Sequence, residues 1–339
     1  MKTKSTVTML SAIIALAMLP IFAFSQNNDS TPNAVLSFSV QNMGARLNSA
    51  DNDIAPVISP SGLSLYFTSN RPEGQGLTDI WVAQRATLNA AWGAQTPVKV
   101  VNTSSNDVMS SISLDGRTMF LFSNRPGGMG GRDLYLSTRN DPTDDFGWTA
   151  PVNLGAVVNT AFDELGAAYF EDPTTGVRSI IFSSNRLGDP ALDYHLYQST
   201  RNVRGTFNAP TLINELSTLG VGAELSTAIR RDGLEIFITA TRPEGLNFPL
   251  FDIWVATRAT TTLPWNPPVL VAGINSLEDD RIPSLSPDGA ILYFQSDRAG
   301  GSGGLDLYSA TRCSLYSATP CTVNLSGGRT DISVFRPSK

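Results

Sequence analysis

The sequence has very little of the residue types from which metal and nucleophilic sites are usually built. Among 339 residues there is 1 histidine, His195, and there are 2 cysteines, Cys313 and Cys321. One histidine cannot form a histidine-rich metal site, and the cysteine spacing is not that of a C-x-x-C redox or zinc motif. The only Gly-x-Ser-x-Gly string, Gly300–Gly304, lies in a glycine-rich turn that leads into an extended run and not into a helix, which argues against the nucleophile elbow of a Ser-His-Asp hydrolase.

Positive charge is also scarce. Lysine and arginine together number 24 against 30 aspartates and glutamates, which gives a formal net charge of −6. Nucleic acids and anionic membrane surfaces attract proteins through basic patches. This composition therefore argues against both as partners.

One apolar run extends from Met9 to Phe24. It follows two lysines and ends at small residues that a signal peptidase reads, so we predict a signal peptide over residues 1–25 with cleavage after Ser25. A membrane anchor is disfavoured because the run contains Pro20 and is shorter than the roughly 20 apolar residues that a spanning helix needs. The sequence thus predicts export to the bacterial periplasm or beyond, without membrane insertion of the mature protein.

Export bears on the two cysteines. An exported chain meets an oxidising compartment, in which Cys313 and Cys321 can form a disulfide. We predict that this disulfide pins the C-terminal tail, residues 313–339.

Five similar segments make up most of the chain. They end at Arg85, Arg139, Arg201, Arg258 and Arg312, which lie 54, 62, 57 and 54 residues apart. A repeat of this length is a supersecondary unit, and a four-stranded propeller blade fits it. The sequence therefore predicts a β-propeller domain over residues 26–312.

Each repeat divides into short extended runs separated by turns. The first run ends at a turn glycine, such as Gly116 or Gly289, where a tight hairpin needs a positive φ. The second run, for example Leu65-Tyr66-Phe67, is apolar on consecutive residues, which indicates a strand buried on both faces between neighbouring blades. The third run alternates apolar and polar residues, and a proline-containing segment supplies the outermost strand.

The fifth outer strand comes from the opposite end of the chain. Residues 36–50 resemble the outer strand and crossing that precede the second repeat. Pairing the two ends closes the ring and removes the open sheet edge. We therefore predict an all-β fold, a five-bladed β-propeller of four-stranded antiparallel blades. A sixth blade that uses residues 313–339 is the alternative.

Several repeated strings carry a resemblance to a known family. They are Ser286-Pro287-Asp288-Gly289, Leu292-Tyr293-Phe294, Ser-Asn-Arg at 69–71 and 123–125, and Asp-Leu-Tyr at 133–135 and 306–308. Together they resemble the TolB-type WD-like propeller repeat, from about residue 53 to residue 312. The resemblance implies the fold but no single function, since such propellers include periplasmic components that bind envelope proteins and propeller domains of peptidases.

Two sets of residues recur at the hairpin between the second and third strands. The second strands end at Arg71, Arg125, Arg186, Arg242 and Arg298, and the third strands open with Asp79, Asp133, His195, Asp252 and Asp306. We interpret them as structural pairs that meet across the hairpin, because functional sites seldom repeat identically in every blade.

A further acidic position begins every first strand. Its residues are Asp53, Asp107, Glu164, Glu224 and Asp280. If these carboxylates ring the mouth of a central channel, they could bind a Ca-type cation or a cationic group. The other interpretation is that each carboxylate caps local N–H groups or pairs with an arginine. Beyond that cation, the sequence predicts no cofactor.

The overall expectation is a monomeric, non-catalytic binding or scaffold protein for an envelope or extracellular partner, either protein or glycan. Recognition would lie in the loops that depart most from the repeat, residues 140–148, 171–178, 187–194 and 243–251. The alternative is a glycan-active enzyme of the glycoside hydrolase kind. It would use acids at the channel mouth, because glycoside cleavage needs two carboxylates.

Overall fold

Five four-stranded antiparallel sheets form the fold of this computed structural model, which describes residues 37–187, 194–218 and 222–313. Blade 1 contains β2 (Asp53–Ile58), β3 (Ser64–Ser69), β4 (Asp79–Gln84) and β5 (Gln95–Pro97). Blade 2 contains β6 (Asp107–Ile112), β7 (Thr118–Ser123), β8 (Asp133–Thr138) and β9 (Val152–Asn153).

The remaining three blades repeat this order. Blade 3 contains β10 (Glu164–Glu171), β11 (Arg178–Ser184), β12 (His195–Thr200) and β13 (Thr211–Leu212), followed by a 3₁₀ turn at Asn214–Leu216. Blade 4 contains β14 (Glu224–Ile229), β15 (Glu235–Ala240), β16 (Asp252–Thr257) and β17 (Val269–Leu270). Blade 5 contains β18 (Asp280–Leu285), β19 (Ile291–Ser296), β20 (Asp306–Cys313) and β1 (Ser37–Asn42).

The first strands of the blades form the inner ring. β2, β6, β10, β14 and β18 contact one another in that order, and β18 contacts β2 again. We call the end of the disc at which these strands begin the entry end, and the end at which they turn into the second strands the hairpin end. The prediction of a five-bladed propeller is confirmed for the described residues.

The middle strands are buried on both faces, as their apolar sequence predicted. Every residue of β3 is buried. Leu65 and Phe67 pack toward Tyr293 and Leu307 of blade 5, whereas Tyr66 packs toward blade 2. Alternate side chains of one strand therefore join two different inter-blade cores, which is why the run has no polar face.

The predicted glycine turns are present at the hairpin end. Gly116 and Gly289 have φ values of 70° and 71°, a region that other residues rarely adopt. The sequence did not predict a second feature of these hairpins. Every first strand changes register against its second strand in the middle of the ladder, as at Met109 and Ser111 in blade 2.

The N-terminal strand closes the ring. β1 pairs antiparallel with β20 over their full register from Ser37–Cys313 to Asn42–Tyr308, and it is the outermost strand of blade 5. The prediction that residues 36–50 complete the last blade is therefore confirmed.

Four predictions fall wholly or partly outside the described residues, and one of them is the recognition loop at residues 187–194, of which 188–193 are not described. The predicted signal peptide also lies outside the described residues, and so does Cys321, the proposed disulfide partner of Cys313. A sixth blade would need the tail beyond residue 313, whereas the described residues form five. No helix within residues 37–187, 194–218 and 222–313 has the length and apolarity to cross a membrane.

Candidate functional site

Each first-strand acid is buried in an ion pair with the arginine that follows its own second strand. All five carboxylates have 0% exposure. The pairs are Arg71–Asp53, Arg125–Asp107, Arg186–Glu164, Arg242–Glu224 and Arg298–Asp280, and the Nη2–oxygen distance is 2.6 Å in blade 2 and 3.2 Å in blades 3 and 4. The arginine also crosses to the connection from the preceding blade, as Arg125 Nη2 donates to the Val101 carbonyl at 2.8 Å.

Further donors complete the shell of each carboxylate. In blade 2, Asp107 Oδ2 accepts hydrogen bonds from the backbone N–H and the hydroxyl of Thr103, and Oδ1 accepts one from Ser123. The Arg125 guanidinium lies over the Tyr135 ring at 4.8 Å. Both oxygens of this buried carboxylate therefore accept hydrogen bonds inside the blade.

This geometry corrects two predictions. The second-strand arginines were expected to pair with the residues that open the third strands, Asp79, Asp133, His195, Asp252 and Asp306, but they pair with the first-strand acids. Those acids were also considered as an open ring at the channel mouth, and their burial in ion pairs removes them from solvent. Within the described part of the chain, no group of three or more His, Cys, Asp or Glu side chains could hold a metal ion.

The third-strand acids instead hold the turn that precedes them. Asp133 accepts hydrogen bonds from the backbone N–H groups of Met129 and Gly130, and Asp79 accepts them from Gln75 and Gly76. A Cβ on Gly128 would clash with the Asp133 carboxylate, and the same holds at Gly74 for Asp79. The glycine runs are therefore turns that wrap a carboxylate.

Blades differ in how well they satisfy this carboxylate. In blade 2, Asn153 Nδ2 donates to Asp133 at 2.9 Å, and in blade 5, Asn42 donates to Asp306 at 3.0 Å. Blade 1 has Pro97 at the matching register, opposite Trp81, and Asp79 Oδ1 is buried with no hydrogen-bond partner among the described residues. Burial accordingly raises the pKa of Asp79 above its ordinary value of 3.8.

This difference predicts unlike responses to two equivalent substitutions. A raised pKa means that the folded state disfavours the ionised carboxylate. Asp79 therefore lowers the free energy of unfolding as the pH rises above the pKa that this aspartate has in the unfolded chain. We expect Asp79→Asn to leave the melting temperature at pH 7 unchanged or higher, and any gain to vanish near pH 3. Asp133→Asn keeps one acceptor oxygen and loses at least one of the hydrogen bonds from Met129, Gly130 and Asn153, which should cost about 1 kcal/mol at pH 7. Melting curves of both variants between pH 3 and pH 8 check this, and equal losses would contradict it.

His195 occupies the third-strand position of blade 3 but contacts the next blade. Its Nδ1 lies 3.3 Å from Glu224 Oε2, and both side chains are fully buried. Glu224 Oε1 accepts from Arg242 Nη2 at 3.2 Å. His195 therefore lies at the interface of blades 3 and 4 instead of pairing with Arg186.

An axial cavity opens at the hairpin end of the inner ring. It is bordered by residues of all five first strands or their turns, among them Pro60, Leu114, Tyr169, Arg231 and Pro287. A second, more apolar cavity lies next to it and shares Ser110, Thr227 and Pro283 in its lining. Ser110 falls at the register change of β6, where a bulge rotates the strand locally.

Acidic residues lie next to residues that line this cavity. Glu171 Oε2 accepts a hydrogen bond from the Tyr169 hydroxyl at 2.8 Å and lies 3.2 Å from Arg178 Nε. Asp115 follows Leu114 directly. Burial raises the pKa of Asp115, but hydrogen bonds from Ser113 and the Arg117 N–H outweigh it, so the net pKa is lowered. Among the acids next to the lining, Asp115 and Glu171 thus have unlike environments. The sequence analysis included Glu171 only in the loop at residues 171–178 and did not single out Asp115.

One predicted recognition loop is anchored instead of free. Asp145, in the loop at residues 140–148, accepts hydrogen bonds from Ser64 Oγ at 2.5 Å and Tyr66 Oη at 2.6 Å in blade 1. Arg139 Nη1 donates to the same carboxylate at 2.9 Å. This loop therefore joins blade 2 to blade 1.

Solved structures of other proteins share this fold. An α-L-arabinofuranosidase from Podospora anserina in complex with cellotriose is 10% identical, with a TM-score of 0.52 over 83% of this chain and 98% of that chain. An arabinanase from Bacillus subtilis is 11% identical, with a TM-score of 0.51 over 80% and 97%. An N-acetylgalactosamine deacetylase from F. plautii in complex with blood group B trisaccharide is 12% identical, with a TM-score of 0.52 over 82% and 96%. No family model and no curated protein matches the sequence.

These comparisons correct the functional expectation. The main expectation was a non-catalytic binding or scaffold protein, and it is wrong by this comparison because the neighbours that share the fold are enzymes. Identities of 10–15% establish the fold alone, so the activity itself belongs to a proposal. The resemblance to the TolB-type repeat stays a prediction.

Proposed function

We propose that this chain is an exported, glycan-active enzyme of the glycoside hydrolase kind, whose site is the hairpin-end mouth of the axial cavity. The observation that carries the proposal is a cavity on the propeller axis with hydroxyl, aromatic and guanidinium groups in its lining and two unlike carboxylates, Asp115 and Glu171, beside it. The fold neighbours named above support it, since an arabinofuranosidase, an arabinanase and a deacetylase all carry carbohydrate substrates in their names.

The two carboxylates have different roles in this proposal. Glycoside cleavage needs one carboxylic acid that protonates the leaving oxygen and one carboxylate that acts as base or nucleophile. The lowered pKa of Asp115 keeps it ionised, which suits the base or nucleophile. Glu171 is then the second carboxylate of the pair, and the Tyr169 hydroxyl, which donates a hydrogen bond to it, holds its orientation.

The first-strand acids are excluded from these roles. Each is fully buried and paired with an arginine, so none can transfer a proton to a glycosidic oxygen in the cavity. The glycan-active alternative is retained, but its acids move from the entry end to the hairpin end of the disc.

The test is hydrolysis of arabino- and xylo-oligosaccharides by residues 26–339, followed by chromatography of the products. Glu171→Gln and Asp115→Asn should each lower kcat by about 100-fold or more, the usual contribution of general acid–base catalysis.

Two variants serve as controls. Asp288 caps the equivalent turn of blade 5 through Ser286 and Ala290, as Asp115 does in blade 2, so Asp288→Asn reports the effect of a weakened turn alone. Glu244→Gln removes an exposed acid at the entry end. The proposal fails if no oligosaccharide is cleaved, or if Asp115→Asn and Asp288→Asn lower kcat equally.

A further inference from the structure

The lining of the axial cavity is charged on one side only. Among the described residues that line it, Arg230 and Arg231 are charged and none is a carboxylate. The two arginines differ in their partners. Arg230 donates to both oxygens of Asp232, at 2.9 and 2.8 Å, and to Glu235 at 3.1 Å. Its charge is therefore already compensated within blade 4.

Arg231 is the arginine that remains available. It is exposed, and it forms no ion pair with any residue in the described part of the chain. Asp288 lies near enough for Arg231 to help lower its pKa, after the hydrogen bonds from Ser286 and Ala290 that are the larger causes.

The inner part of the cavity offers hydroxyl groups. Thr227 is 6% exposed, and its Oγ1 has no hydrogen-bond partner among the described residues; the same is true of the buried Ser110 Oγ. Both residues border the axial cavity and the second, more apolar cavity next to it. Buried hydroxyls without partners inside a protein normally find one in water or a ligand.

We propose that the cavity selects a glycan whose bound sugar unit carries a carboxylate, a uronic acid. The Arg231 guanidinium would bind the carboxylate through paired N–H donors. The Thr227 and Ser110 hydroxyls would bind ring hydroxyls, and Tyr169 and Pro287 would contact the apolar face of the ring. This inference rests on the proposed function for the location of the site and adds the class of sugar.

The experiment measures the affinity of residues 26–339 for α-1,4-linked trigalacturonate and for the same trimer with its carboxylates reduced to alcohols, by titration calorimetry. We expect the native chain to bind trigalacturonate about tenfold more tightly, as a charge-assisted contact predicts. That preference should shrink between 20 mM and 500 mM NaCl, because salt screens an exposed charge.

Three variants separate the contributions. Arg231→Gln should bring the ratio of the two affinities close to one, and Thr227→Val should weaken both trimers together. Arg204→Gln, which removes an exposed arginine from an outer turn, should leave the ratio at its native value.

The outcomes distinguish this inference from the proposed function. Cleavage of neutral oligosaccharides without any preference for trigalacturonate, or a preference that survives Arg231→Gln, overturns the uronate assignment and leaves the hydrolase proposal standing. Arg231-dependent binding of trigalacturonate without turnover of any glycan supports the assignment and overturns the hydrolase. Tighter binding of a sulfated neutral trimer than of trigalacturonate also overturns the carboxylate assignment.

Discussion

Replacing Arg125 with methionine is expected to lower the free energy of unfolding by about 3–5 kcal/mol, because it leaves a buried carboxylate without its counter-charge. Asp107 has 0% exposure, and Arg125 Nη2 lies 2.6 Å from its Oδ1. The variant also loses the hydrogen bond to Val101 and the stacking on Tyr135. Urea unfolding of the native chain and the variant, followed by tryptophan fluorescence, measures the loss.

An ion pair between blade 2 and the connection into blade 3, whose arginine is half exposed, is the matched control. Arg132 Nη1 lies 3.0 Å from Asp163 Oδ2, with 47% of the arginine side chain exposed, and Arg132→Met should cost less than about 1 kcal/mol. Adding Asp107→Asn to Arg125→Met removes the unpaired charge and should restore part of the stability. Equal losses for Arg125→Met and Arg132→Met would contradict the assignment of the buried pairs as stabilising elements.

The same experiment bears on function. If a first-strand acid were catalytic, its amide variant would abolish turnover and leave the fold intact. The structure instead predicts that Asp107→Asn and Asp280→Asn each destabilise the propeller. Each of these acids is buried and pairs with the equivalent arginine of its own blade. Their effect on kcat should be small at temperatures where the variants stay folded.

The architecture could be read from the sequence because it depends on local patterns that repeat. A consecutive apolar run such as Leu65-Tyr66-Phe67 and a glycine turn such as Gly289 carry their meaning within a few residues. Ring closure could be inferred for a related reason, as residues 36–50 match a segment that the fifth repeat lacks. Five independent copies of each pattern outweighed the irregular third repeat.

The sequence pattern could not predict which acid pairs with each arginine, because two acids lie at the same register position on either side of the second strand. Ser69 is paired with Asp53 on one side and with Asp79 on the other, and Arg71 follows two residues later. The turn N–H groups of Gln75 and Gly76 hold one oxygen of Asp79, whereas the Arg71 guanidinium binds Asp53. A serine or threonine four residues before the acid, such as Thr103 before Asp107, was the overlooked signal.

The axial cavity was missed because its lining depends on the bulges. A regular strand would place alternate residues on the axis, whereas the register change at Met109 and Ser111 alters which residues face it. The bulge has no fixed sequence in this chain. Ala55 and Ile282 have positive φ values there, 51° and 50°, at positions where glycine would be the expected residue.

Deleting β1 is expected to have the largest effect of all, because it opens the ring. A chain that begins at residue 44 loses the ladder to β20 and exposes the edge of blade 5. It also loses Phe38, which is 5% exposed and packs edge-on against Phe237 of blade 4 with ring centroids 6.5 Å apart. We expect this variant to aggregate or to lack a cooperative unfolding transition, as judged by size-exclusion chromatography and thermal melting.

Graded variants show whether the strand itself is responsible. A chain that begins at residue 36 keeps all of β1 and should melt like residues 26–339. Phe38→Ala keeps the ladder but leaves a cavity in the core between blades 4 and 5, and should cost about 3–5 kcal/mol.

A synthetic peptide of residues 36–49, added to the chain that begins at residue 44 as it refolds, should restore a soluble monomer, because the peptide supplies the same strand to the same edge. If the shortened chain folds cooperatively without the peptide, pairing of the two ends of the chain is not what holds the propeller closed. Blades 1 to 4 and the three remaining strands of blade 5 would then suffice to keep the ring.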